Sequence, residues 1–327
     1  MTMDSRDATA EELKTATAYV SQLGELSGLF TATIRAIRSA PAILKTTDPL
    51  RLKKFAVESS QMLIKVSPSL KTVFYHAASE LYPGGVEMAM PITANKLLNI
   101  FTPNEIAAII ALTYVRKIIG KKCDAELWEG VLQRSLTHIA IAGEVGDELE
   151  GVGRGNGMLL GGLRSLAIGL FLRHEQKAFR GLLRQTVSKG KYFDTKTERE
   201  IYGCTHLQIA ASLSSGLGYG LGPRLGFGLS DTSIDHETTS AATAHAQEEA
   251  LHWRNCLIIS EELHTYGEIR TESLKNHISD DLIERIETLR TGEGAKWLKE
   301  DASNIPEIIR ELLNIPNATN EKGTPTT

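Results

Sequence analysis

A chain of 327 residues that is 42% hydrophobic and 6% aromatic can bury a sizeable core. Its net charge of −4 is too mild to hold nucleic acid or an anionic lipid surface by charge alone, so neither nucleic acid nor a membrane is an expected partner. Cys123, Cys204 and Cys256 are far apart and lack CxxC spacing. They read as reduced, buried thiols of a cytoplasmic protein, with no disulfide, zinc or other cofactor implied.

In chain order, Leu13, Ala16, Val20, Leu23, Ser27, Phe30, Ile34 and Ile37 recur at alternating steps of three and four. That spacing predicts one long helix over 11–38, ended by Pro41 and packed on the domain; as a coiled-coil seam it would join a homodimer. Asp48-Pro49 signals a cap and first-turn proline, and Leu52, Phe55, Met62 and Val66 mark one face of the helix that follows. Ser67-Pro68 opens a third helix to about Leu81, Pro83-Gly84-Gly85 reads as a turn, and Pro91 opens a short helix over 92–100. Thr102 with Glu105 fits a capping box, followed by the apolar face of Ile106, Ile109, Ile110 and Ile118. A polar break at 120–124 is a candidate domain boundary.

A helix over 125–146 presents Trp128, Val131, Leu132, Ser135, Ile139 and Ala142. Gly151, Gly153, Gly155 and Gly157 lack dinucleotide-fingerprint spacing and read as a flexible connector. Residues 156–173 are apolar nearly all round, as in a helix surrounded by others, with Gly161, Gly162 and Gly169 suited to close approach. Lys177, Arg180 and Arg184 give the 175–187 helix a basic, solvated face. One helix is predicted from Thr195 through His206 to Ser214, a loop over 216–228, a long helix from 238 to Tyr266 ended by Gly267, two helices within 271–315 and a disordered tail over 316–327. No alternating strand pattern occurs, so the class is all-α.

His245, Glu248, Glu249 and His252 form the densest group of metal-ligating types. Spacings of three, four and seven align His245, Glu249 and His252 along one helix face, a row that can hold a transition metal but differs from HExxH. The preferred reading of the row is a solvated polar face. His138, His174 and His206 read as structural, and no nucleophile elbow is present.

Six segments, in order, resemble the HDOD family, relatives of the HD metal-dependent phosphohydrolases. They are MLIKVSPSLKTVFYHAAS from Met62, ITANKLLNIFTPNEIAAIIALTYVRKII from Ile92, LWEGVLQRSLTHIAIAGEV from Leu127, GMLLGGLRSLAIGLFL from Gly157, EREIYGCTHLQIAASLSSGLG from Glu198 and HWRNCLIISEELHTYG from His252. The resemblance covers about 50–267 and implies an HD-like helical bundle: an N-terminal arm (1–46), a helical subdomain (47–120), an HD-like core (121–270) and C-terminal helices (271–315). It places Arg164 and Ser165 where the family's relatives carry the metal-binding His-Asp pair, and Gly130 where a further His is common. A fixed cation repels divalent metal, so the resemblance implies a non-catalytic regulatory protein of bacterial signal transduction that binds other signalling proteins. Two alternatives remain. One is a divergent phosphohydrolase of nucleotides or cyclic dinucleotides using His206, His245 and His252. The other is a nucleotide or anion sensor whose cleft is lined by Arg164 and His206.

Overall fold

The computed structural model describes residues 10–24, 26, 28–228, 241–292, 294–300 and 302–315, and the side chains of all these except 241–245 and 302. Among the described residues are sixteen α-helices, three short 3-10 helices and no strand, so the protein is all-α. The first half runs α1 (Ala10–Ser21), α2 (Gly28–Leu44), α3 (Pro49–Val66), α4 (Ser69–Leu81), α5 (Pro83–Met88), α6 (Ala94–Leu98) and α7 (Pro103–Gly120). The second runs α8 (Ala125–Glu148), α9 (Arg154–His174), α10 (Gln176–Ser188), α11 (Thr195–Tyr202), α12 (His206–Gly216), α13 (Leu221–Gly226), α14 (Ala241–Tyr266), α15 (Asp280–Thr291) and α16 (Glu307–Leu312).

Helix α9 is the axis. Every residue from Gly155 to Ala167 is buried, enclosed by α7, α8, α12 and α14. It has the length and hydropathy of a membrane span, yet the apolar window that gives it that character lies wholly inside the protein. Its glycines set the packing. A Cβ on Gly161 would lie 2.3 Å from the His138 carbonyl oxygen, and one on Gly157 2.0 Å from that of Ala142. The α8 and α9 backbones therefore touch directly, and only glycine fits. This corrects the flexible connector expected over 151–157: Gly155 and Gly157 are helical contact residues. Their partners sit on other helices, so nothing local in the sequence separates this use from a loop.

The 11–38 helix is also corrected. Gly24, at φ +81°, lies in the break between α1 and α2. Pro41 does not stop α2, which runs on to Leu44; a late proline loses one N–H bond, and the turn comes at Lys45, at φ 47°. Ala16, Ile34 and Ile37 are buried within this chain, α1 against α12 and α2 against α3 and α7. On α3 the core face is Ala56, Val57, Ser60, Leu63 and Ile64, whereas Met62 and Val66 are exposed. The expected turn at Pro83 is α5, the short helix after Pro91 begins at Ala94, and the 216–228 loop contains α13.

Local signals hold where both partners are near in sequence. Asp48 accepts from Leu50 N at 3.0 Å. The Thr102 hydroxyl accepts from Glu105 N at 3.3 Å, and Glu105 accepts from Thr102 N at 2.7 Å. The C-terminal segment packs onto both halves: Ala295 N donates to Leu136 O (2.9 Å), Trp297 N donates to Glu80 (3.0 Å), and the Trp297 side chain is fully buried. One continuous apolar cluster extends from Ala16 to Ile315. The tail 316–327 lies outside the described residues.

Candidate functional site

The site grows from the junction of α11 and α12, which the sequence predicts as one helix. Gly203 ends α11 in the left-handed region, at φ +73°, and the Thr205–Gln208 capping box starts α12. Asp194 caps α11 and is held below the ordinary carboxylate range: hydrogen bonds from Lys189 and Thr197 outweigh its burial. The break folds His206 back over Glu198. Both are fully buried. Glu198 Oε2 accepts from His206 N at 2.8 Å and from His206 Nδ1 at 2.7 Å, and Oε1 accepts from Asp194 N at 3.3 Å. With its proton on Nδ1, the ring offers Nε2 as an acceptor to Arg164 Nε at 3.4 Å.

Arg164 extends the chain of polar groups. Its Nη1 lies 3.0 Å from Glu261 Oε2, at ion-pair distance but off hydrogen-bond geometry. Its guanidinium lies 4.4 Å from the Phe193 ring centre, and Phe193 stacks on His206 at 4.2 Å. Four elements thus meet: α9 supplies the cation, α11 and α12 a carboxylate and imidazole, and α14 a second carboxylate. Two further histidines adjoin them. His138 of α8 stacks on His264 of α14 at 4.0 Å. Burial drives His138 well below its ordinary value, aided by His264, Arg164, His206 and Arg134. Burial also pushes His264 down to about 4; Glu261 opposes that shift, while Arg164 and Arg290 add to it.

The residues do not fit a divalent metal. Arg164 is a cation paired with Glu261, and Ser165 is a buried hydroxyl. Among the described residues no group of three or more His, Cys, Asp or Glu is placed to hold a metal. The row on α14 does not supply one either. Glu249 is ion-paired with Arg38 at 3.1 Å. The His252 ring packs at Gly151, 3.3 Å from a Cβ built there. The side chain of His245 lies outside the described residues. Gly151 precedes α9, whereas Arg164 is about ten residues into it, a rise of about 15 Å. His252 therefore stands just before the start of the axis and His206 near its middle, so the two do not share a site.

A cavity of about 160 Å³ lies beside the Arg164 chain, between α8, α9 and α10. Gly130 and Ser165 line it together with Arg134, His138, Tyr192 and Phe193. Gly130 and Ser165 thus meet at one place, while Arg164 and His206 turn to each other and to Glu261 and Glu198 instead of lining the cavity. His138 Nε2 and Ser165 Oγ are buried without a hydrogen-bond partner among the described residues. Sequence reasoning missed Glu261, His264, Tyr192 and Phe193. Glu261 and His264 share one face of α14 at a spacing of three; only that spacing hinted at them. Cys204 and Cys256 are buried, which pushes both thiols up to about 12, so they are inert at neutral pH. Lys177, Arg180 and Arg184 are exposed along α10.

The chain matches no protein-family model, no curated protein and no solved structure.

Proposed function

We propose that this is a non-catalytic regulatory or scaffold protein, built on a degenerate HD-like helical module of the HDOD type and acting on other proteins in bacterial signal transduction. The observation that carries this reading is the ion chain Glu198–His206–Arg164–Glu261. A hydrolase of this type needs an imidazole and a carboxylate free to hold metal and to lower the pKa of bound water. Here the position carries a guanidinium, and the nearby imidazole and carboxylates are committed to one another. The cluster ties α9, α11, α12 and α14 together, as a module that presents a fixed surface to partner proteins requires. A cytoplasmic location follows from the same reading. The test is a turnover screen of untagged protein with Mn²⁺ against nucleotides, cyclic dinucleotides and simple phosphate esters. The expected result is no hydrolysis above the protein-free blank. Hydrolysis that disappears in His206→Ala would overturn the proposal.

A second reading, a sensor of small ligands, is favoured by one observation: the cavity beside the ion chain has two buried polar atoms without partners.

A further inference from the structure

We infer that the cavity bounded by α8, α9, α10 and Tyr192-Phe193 is a binding site for a single-ring aromatic carboxylate bearing a second hydrogen-bonding group. The volume sets the size. About 160 Å³ is close to that of an apolar cavity able to hold one benzene ring, and it is too small for a nucleotide. Leu127, Val131, Ile168 and Leu183 form apolar wall, and Tyr192 and Phe193 add aromatic rings against which a flat ligand packs.

Charge sets the anion. Arg134 is half-buried at the cavity, with its guanidinium 5.7 Å from the centre of the Tyr192 ring. Among the described residues it has no ion-pair partner. This contrasts with Arg164, which faces Glu261. A single uncompensated cation suits one carboxylate, and the exposed Glu126, the only acidic lining residue among the described ones, opposes a multiply charged phosphate chain.

The inner groups set the second function. His138 and Ser165 line the same cavity, are more than nine-tenths buried, and keep Nε2 and Oγ unpaired. Two such atoms facing one cavity leave bonds there that a ligand can supply. His138 follows Arg134 by one helical turn, a rise of about 6 Å, a span that one substituted benzene ring bridges. The carboxylate then meets Arg134, and a hydroxyl on the ring meets Ser165 and His138.

This inference deepens the regulatory reading by naming what the module senses. Binding is measured at equilibrium without turnover, so its failure would leave the non-catalytic reading standing, and turnover in the nucleotide screen would leave the binding result intact. The experiment is thermal unfolding of the full chain with 4-hydroxybenzoate as probe and neutral 4-hydroxybenzamide as control. The wild type should show a concentration-dependent Tm rise with millimolar acid and bind the amide about tenfold more weakly. Arg134→Met should remove that preference. Gly130→Leu is the blocking variant. A Cβ at Gly130 meets nothing within 4 Å, and leucine favours helix over glycine, so the variant should fold with an unliganded Tm at or above that of the wild type and lose the response. No response of the wild type to the acid, an equal response to acid and amide, or a response that survives in Gly130→Leu would overturn the inference.

Discussion

Arg38 and Arg164 each sit between a glutamate and an aromatic ring, yet their surroundings differ in kind. Arg38 donates from Nη1 to Asn104 and Asn156, at 3.2 and 3.3 Å, and from Nη2 to Glu249 at 3.1 Å. Asn156 in turn donates to Val152 O at 2.7 Å. This cluster joins α2, α7, α9 and α14, and its arginine, amides and carboxylate all have hydrogen-bond partners, the one exception being the buried hydroxyl of Tyr219, whose ring faces Arg38. The Arg164 cluster is more deeply buried, contains two stacked histidines, and leaves atoms of His138, Ser165, Glu261 and His264 without hydrogen bonds. Fully satisfied polar groups fasten helices; unsatisfied ones beside a cavity mark a site. The two arginines look alike in sequence, and only their neighbours separate them.

The contrast is sharpest in truncation. Arg164→Ala leaves Glu261 uncompensated and removes the donor to His206 in a place where the two ion-pair side chains are only 8% and 20% exposed. A loss of about 4 kcal/mol in urea unfolding is expected; a loss below about 1 kcal/mol would put the guanidinium in solvent.

Acid separates the clusters next, because the Arg38 group contains no histidine. His264 is pushed down to about 4 in the folded protein, from an ordinary value near 6.5. Above pH 6.5 both folded and unfolded states are neutral at this residue. As pH falls from 6.5 toward 4, the unfolded chain takes up a proton that the folded chain resists, so stability declines with falling pH. His264→Phe should reduce that decline by about 3 kcal/mol over the window. An unchanged urea midpoint against pH profile would show that the imidazole is protonated, and solvated, in the native state.

Arg38→Ala should cost less, about 1–2 kcal/mol, since its ion pair is 18% and 24% exposed and water can replace part of the interaction. A loss as large as that of Arg164→Ala would erase the distinction between fastening and site. The smallest effect is at Ser165. Removing a buried hydroxyl without a partner should leave stability unchanged or raise it by up to about 1 kcal/mol in Ser165→Ala. A loss above about 1 kcal/mol would mean that the hydroxyl is already bonded in the unliganded protein.

What the sequence makes legible follows from how far apart the interacting groups are. The all-α class, the Asp48 cap and the Thr102–Glu105 box rest on contacts within a few residues and are readable. The close approach at Gly161, Gly162 and Gly169 is readable too, because an apolar helix rich in glycine has few other uses. The same residue type misleads at Gly155 and Gly157, whose partners Asn104 and Ala142 belong to other helices. Met62 and Val66 fit a helical period as well as Leu63 and Ile64 do, and only the positions of α2 and α7 decide which face is covered. At the site, the pattern around Glu198 and His206 points to both residues but hides the break at Gly203 that brings them together. Glu261 lies 97 positions beyond Arg164, and no spacing rule connects a cation on one buried helix with a carboxylate on another.

The proposed function turns on reading the Arg164 guanidinium as a replacement for the metal of an HD-type hydrolase. Calorimetric titration of the untagged, metal-free chain with Mn²⁺, in parallel with His206→Ala, tests that most directly. It predicts no stoichiometric binding at the Arg164 cluster, so the wild-type and His206→Ala isotherms should coincide. One equivalent of Mn²⁺ bound by the wild type and lost in His206→Ala would contradict it.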